Sequence, residues 1–181
     1  MIVLMIKKMI IQVCIAMMGL MFSQLAFTQS DPVFTSEVTN QCLVEAYQSS
    51  PSLSNHAVLD CVGLSAKACI SSAGGDTTIG MMTCLEGELK FWDQRLNQAY
   101  AKRMQNANKE DKEMTSIRAN TVPVSDSLRR MQRAWVSFRD AACLYEQAQW
   151  LGGTGGGPAT MACQMHETAR QALKLEGWWS Q

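Results

Sequence analysis

The chain has 181 residues, 47% of them hydrophobic and 18% charged, with 16 basic and 16 acidic side chains balancing to zero. That balance, without any stripe of bases interleaved with aromatics, excludes nucleic acid as a partner. Seven cysteines against two histidines direct attention to thiol oxidation rather than to metal or acid–base chemistry.

Lys7 and Lys8, the apolar run Met9 to Phe22 and the polar exit through Ser23, Gln24, Thr28, Gln29 and Ser30 have the lettering of a secretion signal. The run is shorter than the roughly 18 residues of a spanning helix, and Gln12 interrupts it. Residues 1–28 therefore read as a signal peptide, cleaved between residues 26 and 30, with no membrane span in the mature chain. Ile11, Gln12 and Val13 before Cys14 do not form a lipoprotein box. About 150 residues remain, enough for one domain that buries roughly 68 to 70% of its unfolded surface. They keep Cys42, Cys61, Cys69, Cys84, Cys143 and Cys163, an even set that suits an exported, oxidised, disulfide-stapled protein.

Residues 31–76 read as an acidic, helical amino-terminal segment containing Cys42, Cys61 and Cys69. Glu37 to Gln48, capped by Ser36, and Asn55 to Ala68, capped by Ser54, look like two short helices, with Gly63 weakening the second. Gly74 and Gly75 mark a turn. Over residues 31–93 eight acids face only two bases, Lys67 and Lys90, whereas residues 94–181 hold twelve bases and eight acids. Either the halves neutralise each other across the fold, or the acidic half faces a cationic partner.

Residues 77–177 read as the helical core. Met82, Leu85, Leu89, Trp92, Leu96 and Ala99 alternate at spacings of three and four, which predicts a long amphipathic helix capped by Thr77 or Thr78 and running to about Asn106. Lys109 to Thr115 continues or restarts a helix, and Pro123 closes that stretch. Leu128, Met131, Trp135, Phe138, Ala142 and Tyr145 repeat the same spacing behind a cap at Ser125 or Asp126, ending near Trp150. After the cluster Gly152, Gly153, Gly155, Gly156 and Gly157, Pro158 opens a last helix that buries Ala162, Met165, Ala169 and Leu173 and stops at Gly177. No run of alternating β-branched residues occurs. The expected fold is all-α: a small disulfide-stapled bundle built on a long antiparallel helix pair plus a C-terminal helix.

The strings Cys84 to Tyr100 (CLEGELKFWDQRLNQAY), Gln132 to Cys143 (QRAWVSFRDAAC), the Gly152–Gly153 pair and Cys163 to Arg170 (CQMHETAR) resemble the LprI-like lysozyme-inhibitor family. Their order and spacing, over about residues 69 to 175, carry the likeness. Thr168 and Arg170 depart from its Thr-x-x-Arg lettering, and Cys42 and Cys61 lie outside it. The resemblance implies a secreted or periplasmic helical protein, some of whose relatives inhibit lysozyme.

The residues give that lettering a physical reason. With a hairpin turn near residue 116, Asp93 and Arg139 come level on facing helices, and a partly buried pair there would fix register more than it would add stability. Asn97 and Tyr100 lie one turn further on, beside the Trp92 and Leu96 seam, and Asp140 stands next to Arg139. Six cysteines allow fifteen pairings. Across the glycine loop Cys143 and Cys163 come nearly level and form the leading pair, with Cys69–Cys84 and Cys42–Cys61 beside it and Cys84–Cys143 as competitor.

Nothing in the chain suggests catalysis, a metal or a cofactor. No C-x-x-C occurs, only His56 and His166 are available, and the glycine cluster lacks the Lys-Ser or Lys-Thr ending of a phosphate loop. Glu86 and Glu88, two apart, point to different helix faces and make no glycosidase dyad. The expectation is a non-enzymatic binding protein with a protein partner, a lysozyme-type muramidase. Its cleft would be filled by the loop of Trp150, Gly152, Gly153, Gly155 and Gly156, with the acidic half as electrostatic guide. The alternative is an envelope structural or interaction module without a lysozyme target, and the sequence leaves the oligomeric state open.

Overall fold

Thr77 starts the longest element for the expected reason. Its backbone is extended and its hydroxyl accepts the Gly80 N–H at 2.9 Å, so the first turn of the helix is capped. In the computed structural model, which describes residues 31–49, 56–117 and 121–178, five α-helices follow one another and no strand occurs among the described residues. Residues 1–28, read as a signal peptide, and Ser54, the expected cap, lie outside the described residues. Asp31–Gln181 is one compact unit.

The helices are α1 (Glu37–Ser49), α2 (Leu64–Ile70), α3 (Thr78–Ser116), α4 (Val124–Ala148) and α5 (Gly156–Glu176). A 3-10 segment, His56–Cys61, precedes α2. The single helix expected over Asn55–Ala68 is thus two pieces, because Gly63 takes a left-handed φ of 91° between them. Conversely, α3 does not stop at Asn106. Lys109, Glu110, Lys112, Glu113 and Met114 are strong helix formers, and the helix runs 39 residues to Ser116. The expected cap of α4 is also corrected. Neither Ser125 nor Asp126 caps it; Asp111 of α3 accepts the Val124 N–H at 2.6 Å and the Ser125 N–H at 3.0 Å. At the far end, Gly177 (φ 96°) closes α5, its N–H donating to Lys174 O and the Trp178 N–H to Leu173 O. Pro158 is the third residue of α5 rather than its first, still within the turn whose N–H groups need no partner in the helix.

The core forms where α5 packs against both α3 and α4. Leu85, Trp92, Leu96 and Ala99 of α3 are buried there with Met165, Ala169 and Leu173 of α5, as the spacing predicts, and Ala162 is partly buried. The α4 seam is only half right. Leu128, Met131 and Trp135 pack against the core, but Phe138 and Tyr145 keep 60% and 66% of their surface exposed.

Three disulfides tie the bundle: Cys42–Cys61, Cys69–Cys84 and Cys143–Cys163, with Cα separations of 5.5, 5.6 and 5.4 Å. The competing Cys84–Cys143 link is therefore absent. Each bridge contributes about 2 to 4 kcal/mol.

The segment before Thr77 is held by a buried carboxylate as well as by cystines. Glu88, fully buried on α3, accepts the Gly63 N–H at 2.7 Å, the Ala66 N–H at 2.6 Å, the Thr39 hydroxyl at 3.0 Å and the Trp92 indole N–H at 3.1 Å. Thr39 and Ser65 exchange further bonds, Thr39 N–H to Ser65 Oγ at 2.9 Å and Ser65 N–H to Thr39 Oγ1 at 3.1 Å. Glu88 thereby caps α2 from another helix and satisfies donors that would otherwise be buried unpaired.

Candidate functional site

The loop between α4 and α5 is a chain of turns. Trp150 N–H donates to Gln147 O, Leu151 N–H to Ala148 O, Gly153 N–H to Trp150 O at 2.8 Å, and Gly156 N–H to Gly153 O. Gly152 has φ 85° and open space around it. Gly155 lies so close under the Trp150 indole that a Cβ there would fall within the ring's contact distance. Glycine is required at this position by close approach, and Trp150, still 52% exposed, rests on it. A Cβ at Gly156 would meet Gln147 at 3.3 Å and the Trp150 Cβ at 3.5 Å.

Leu151 is the exception on this loop. It is 93% exposed and is the non-glycine residue with positive φ, 49°, among the described residues. A left-handed β-carbon-bearing residue costs of order 1–3 kcal/mol, and such outliers gather at binding sites. Cys143–Cys163 clamps the two helices directly behind the loop. The stretch 147–165 carries no charged side chain. The result is an uncharged projection, tipped by an aliphatic side chain and flanked by an indole.

The expected Asp93–Arg139 pair is not formed. Asp93 is exposed and accepts the Asn97 side-chain N–H at 3.0 Å on its own helix. Arg139 donates to the adjacent Asp140 at 2.8 and 2.9 Å and lies 5.1 Å over the Trp135 ring. Asp93 lies on the exposed face of α3, next to the buried Trp92, and Arg139 is engaged on its own helix, so neither side chain reaches across. The Trp135, Arg139 and Asp140 lettering instead builds a lid over a half-buried ring. Trp92 and Leu96 are core, and Tyr100 packs against its edge.

A concave surface of about 370 Å³ lies between α1, α3 and α5. Arg95 crosses it, donating to Glu176 at 2.8 and 3.1 Å and to the Tyr47 hydroxyl at 2.8 Å. Trp178 stacks on Tyr47 with centroids 4.0 Å apart, so this tryptophan docks on the body as a structural wall. Burial pushes the Tyr47 phenol up, with Arg95 opposing that shift. The Ser125 side chain, with the Ser125 and Val124 N–H groups, holds the Asp111 carboxyl below its usual range. Partial burial and nearby Arg170 lower the His166 imidazole, although Glu88 and Glu167 pull the other way.

Among the described residues no group of three metal-ligating side chains occurs. Their ion pairs each join residues within 31–93 or within 94–181, so the acidic half is not neutralised by ion pairs to the basic one. Two residues that matter were missed by the sequence reading: Glu88, which sits in the seam between Leu85 and Trp92, and Leu151, which carries no signal beyond its glycine neighbours.

These features define a small cystine-stapled helical module with an ordered, uncharged surface loop. The chain belongs to the lysozyme inhibitor LprI family, whose pattern matches residues 69–175. That range holds two of the cystines, the whole of α3 and α4, and the Trp150–Gly156 loop. The chain is also similar to a Rhodobacter capsulatus protein described as an uncharacterized 17.7 kDa protein in the puhA 5′ region. They are 31% identical over 119 residues, 65% of this chain and 74% of that protein. No solved structure matches the chain.

Proposed function

We propose that the protein is a periplasmic or secreted, non-enzymatic binding protein that blocks the cleft of a lysozyme-type muramidase with its Trp150–Gly156 loop. The observation that carries this reading is Leu151, held in a left-handed conformation at the tip of a turn-built, cystine-backed loop. Muramidases of this kind work through two carboxylates in a sugar-binding groove, so an inhibitor needs only to fill the groove and displace water and substrate from that pair. An uncharged tip enters such a groove without bringing a like charge against the carboxylates. The loop's internal hydrogen bonds and the Cys143–Cys163 clamp reduce the ordering entropy lost on binding. Exposed Glu37, Glu45, Asp60 and Asp76 lend the other half of the surface a field that attracts a basic enzyme. Three cystines suit an oxidising compartment, and among the described residues no helix is long and apolar enough to cross a membrane.

A turbidity assay with the oxidised protein and a c-type lysozyme tests the reading. Inhibition at micromolar excess is expected, weakened at least about tenfold, or 1.4 kcal/mol, by Leu151→Asp without loss of thermal stability. No inhibition across salt concentrations would remove the reading for that enzyme class and favour the envelope-module alternative.

A further inference from the structure

The outward face of α4 is apolar where a solvated helix face would be charged. Ala134, Phe138, Ala141, Tyr145 and Ala148 succeed one another at spacings of four and three, and all five are exposed. Leu144, 64% exposed, flanks them. No charged residue falls within this seam, and Arg139 is turned away over Trp135. The seam is about 21 Å long at 1.5 Å per residue.

We infer that this face pairs with the same face of a second copy of the chain, antiparallel, about a two-fold axis passing beside Arg139 and Asp140. The pattern itself selects that occupant. Read as heptads, one seam position is always aromatic (Phe138, Tyr145) and the other always alanine (Ala134, Ala141, Ala148). Antiparallel helices bring the two kinds of seam position to the same level. About this axis Phe138 of one copy meets Ala141 of the other, and Tyr145 meets Ala134. Each ring therefore finds a small residue opposite, and one two-fold operation satisfies all four layers. Parallel pairing would set ring against ring and alanine against alanine, leaving alternate clashes and voids. The alanines also permit an axis separation near the lower end of the 8–10 Å range of packed helices. A charged partner would find nothing in this seam to recognise.

This inference does not rest on the lysozyme reading; a monomer that inhibits lysozyme would overturn it and leave that reading standing. Sedimentation velocity of the oxidised full chain from about 1 μM to about 1 mM should show a reversible monomer–dimer equilibrium. Phe138→Ser should abolish the dimer. Ala141→Leu separates close packing from mere stickiness: added apolar bulk should weaken association at least tenfold, whereas unchanged or tighter association would overturn the proposed packing. Should either variant misfold, hydroxyl-radical footprinting of the unaltered protein decides the matter. Protection of Phe138 and Tyr145 that grows with concentration supports the pairing. A chain that stays monomeric throughout, or a dimer in which both rings remain fully reactive, refutes it.

Discussion

The indole N–H of Trp92 donates to the Glu88 carboxylate at 3.1 Å, one turn back along α3. The same carboxylate receives two backbone N–H groups at the start of α2 and the Thr39 hydroxyl of α1. The amino-terminal half of the long helix is therefore also the anchor of the amino-terminal helices. A buried carboxylate with this many donors is tolerable because its lone pairs are engaged; the donors in turn depend on it.

Glu88→Ala should accordingly lower unfolding free energy by about 3 kcal/mol or more, since each orphaned buried donor costs about 1–3 kcal/mol. Glu88→Gln should lose less, keeping one acceptor oxygen but turning an NH₂ group toward one of the donors. Urea denaturation of both variants checks the order, and an alanine variant as stable as the parent would refute the capping role.

Asp93→Ala should change stability by no more than about 0.5 kcal/mol, as expected for a surface residue bonded only along its own helix. Arg139→Ala should cost more, about 0.5–1 kcal/mol, because it uncovers the Trp135 ring. Melting temperatures distinguish this from a cross-helix Asp93–Arg139 pair, for which both losses would be large and matched.

Replacing Cys143 and Cys163 together by serine should cost about 2–4 kcal/mol. It should also expose the Trp150–Gly156 loop to proteases while far-ultraviolet circular dichroism stays helical. Cleavage rates at the loop unchanged from those of the oxidised parent would show that the hydrogen-bonded turns order the loop without the clamp.

His166 gives the protein a shallow pH dependence. Its folded pKa is lowered, so the unfolded chain takes up the proton first as pH falls. Stability is full above the ordinary histidine value of about 6.5 and declines as pH drops through it toward the lower folded value. The slope is small because the residue stays exposed, with only its ring edge near Gly63. His166→Gln should remove that part of the slope in melting curves taken between about pH 8 and 5.

Much of this fold was legible because α3 and α5 bury their stripes in the usual helical period, and because the Cys143–Cys163 pair follows from two helices meeting across a short loop. Glu88 was not legible as a core residue. It occupies a seam position, but all its donors except the Trp92 indole come from residues 39, 63 and 66, beside a left-handed Gly63 that divides the expected helix. The α4 stripe shows a different limit. Periodicity revealed that Phe138 and Tyr145 are apolar at helical spacing, yet it did not reveal that α5 covers the neighbouring face instead. The cap of α4 was hidden for the same reason as Glu88, since Asp111 reaches it from another helix. Within the loop, the glycines announced a turn, while the reason for Gly155 became visible only with the Trp150 ring lying on it.

From Cys42 onward, every cystine couples a cysteine to its immediate successor along the chain, at separations of 19, 15 and 20 residues. A polypeptide delivered amino-terminus first thus presents each partner before any later rival arrives. An oxidase that merely joins thiols in order of appearance will generate the correct set, and reshuffling by an isomerase becomes dispensable for reaching the native connectivity.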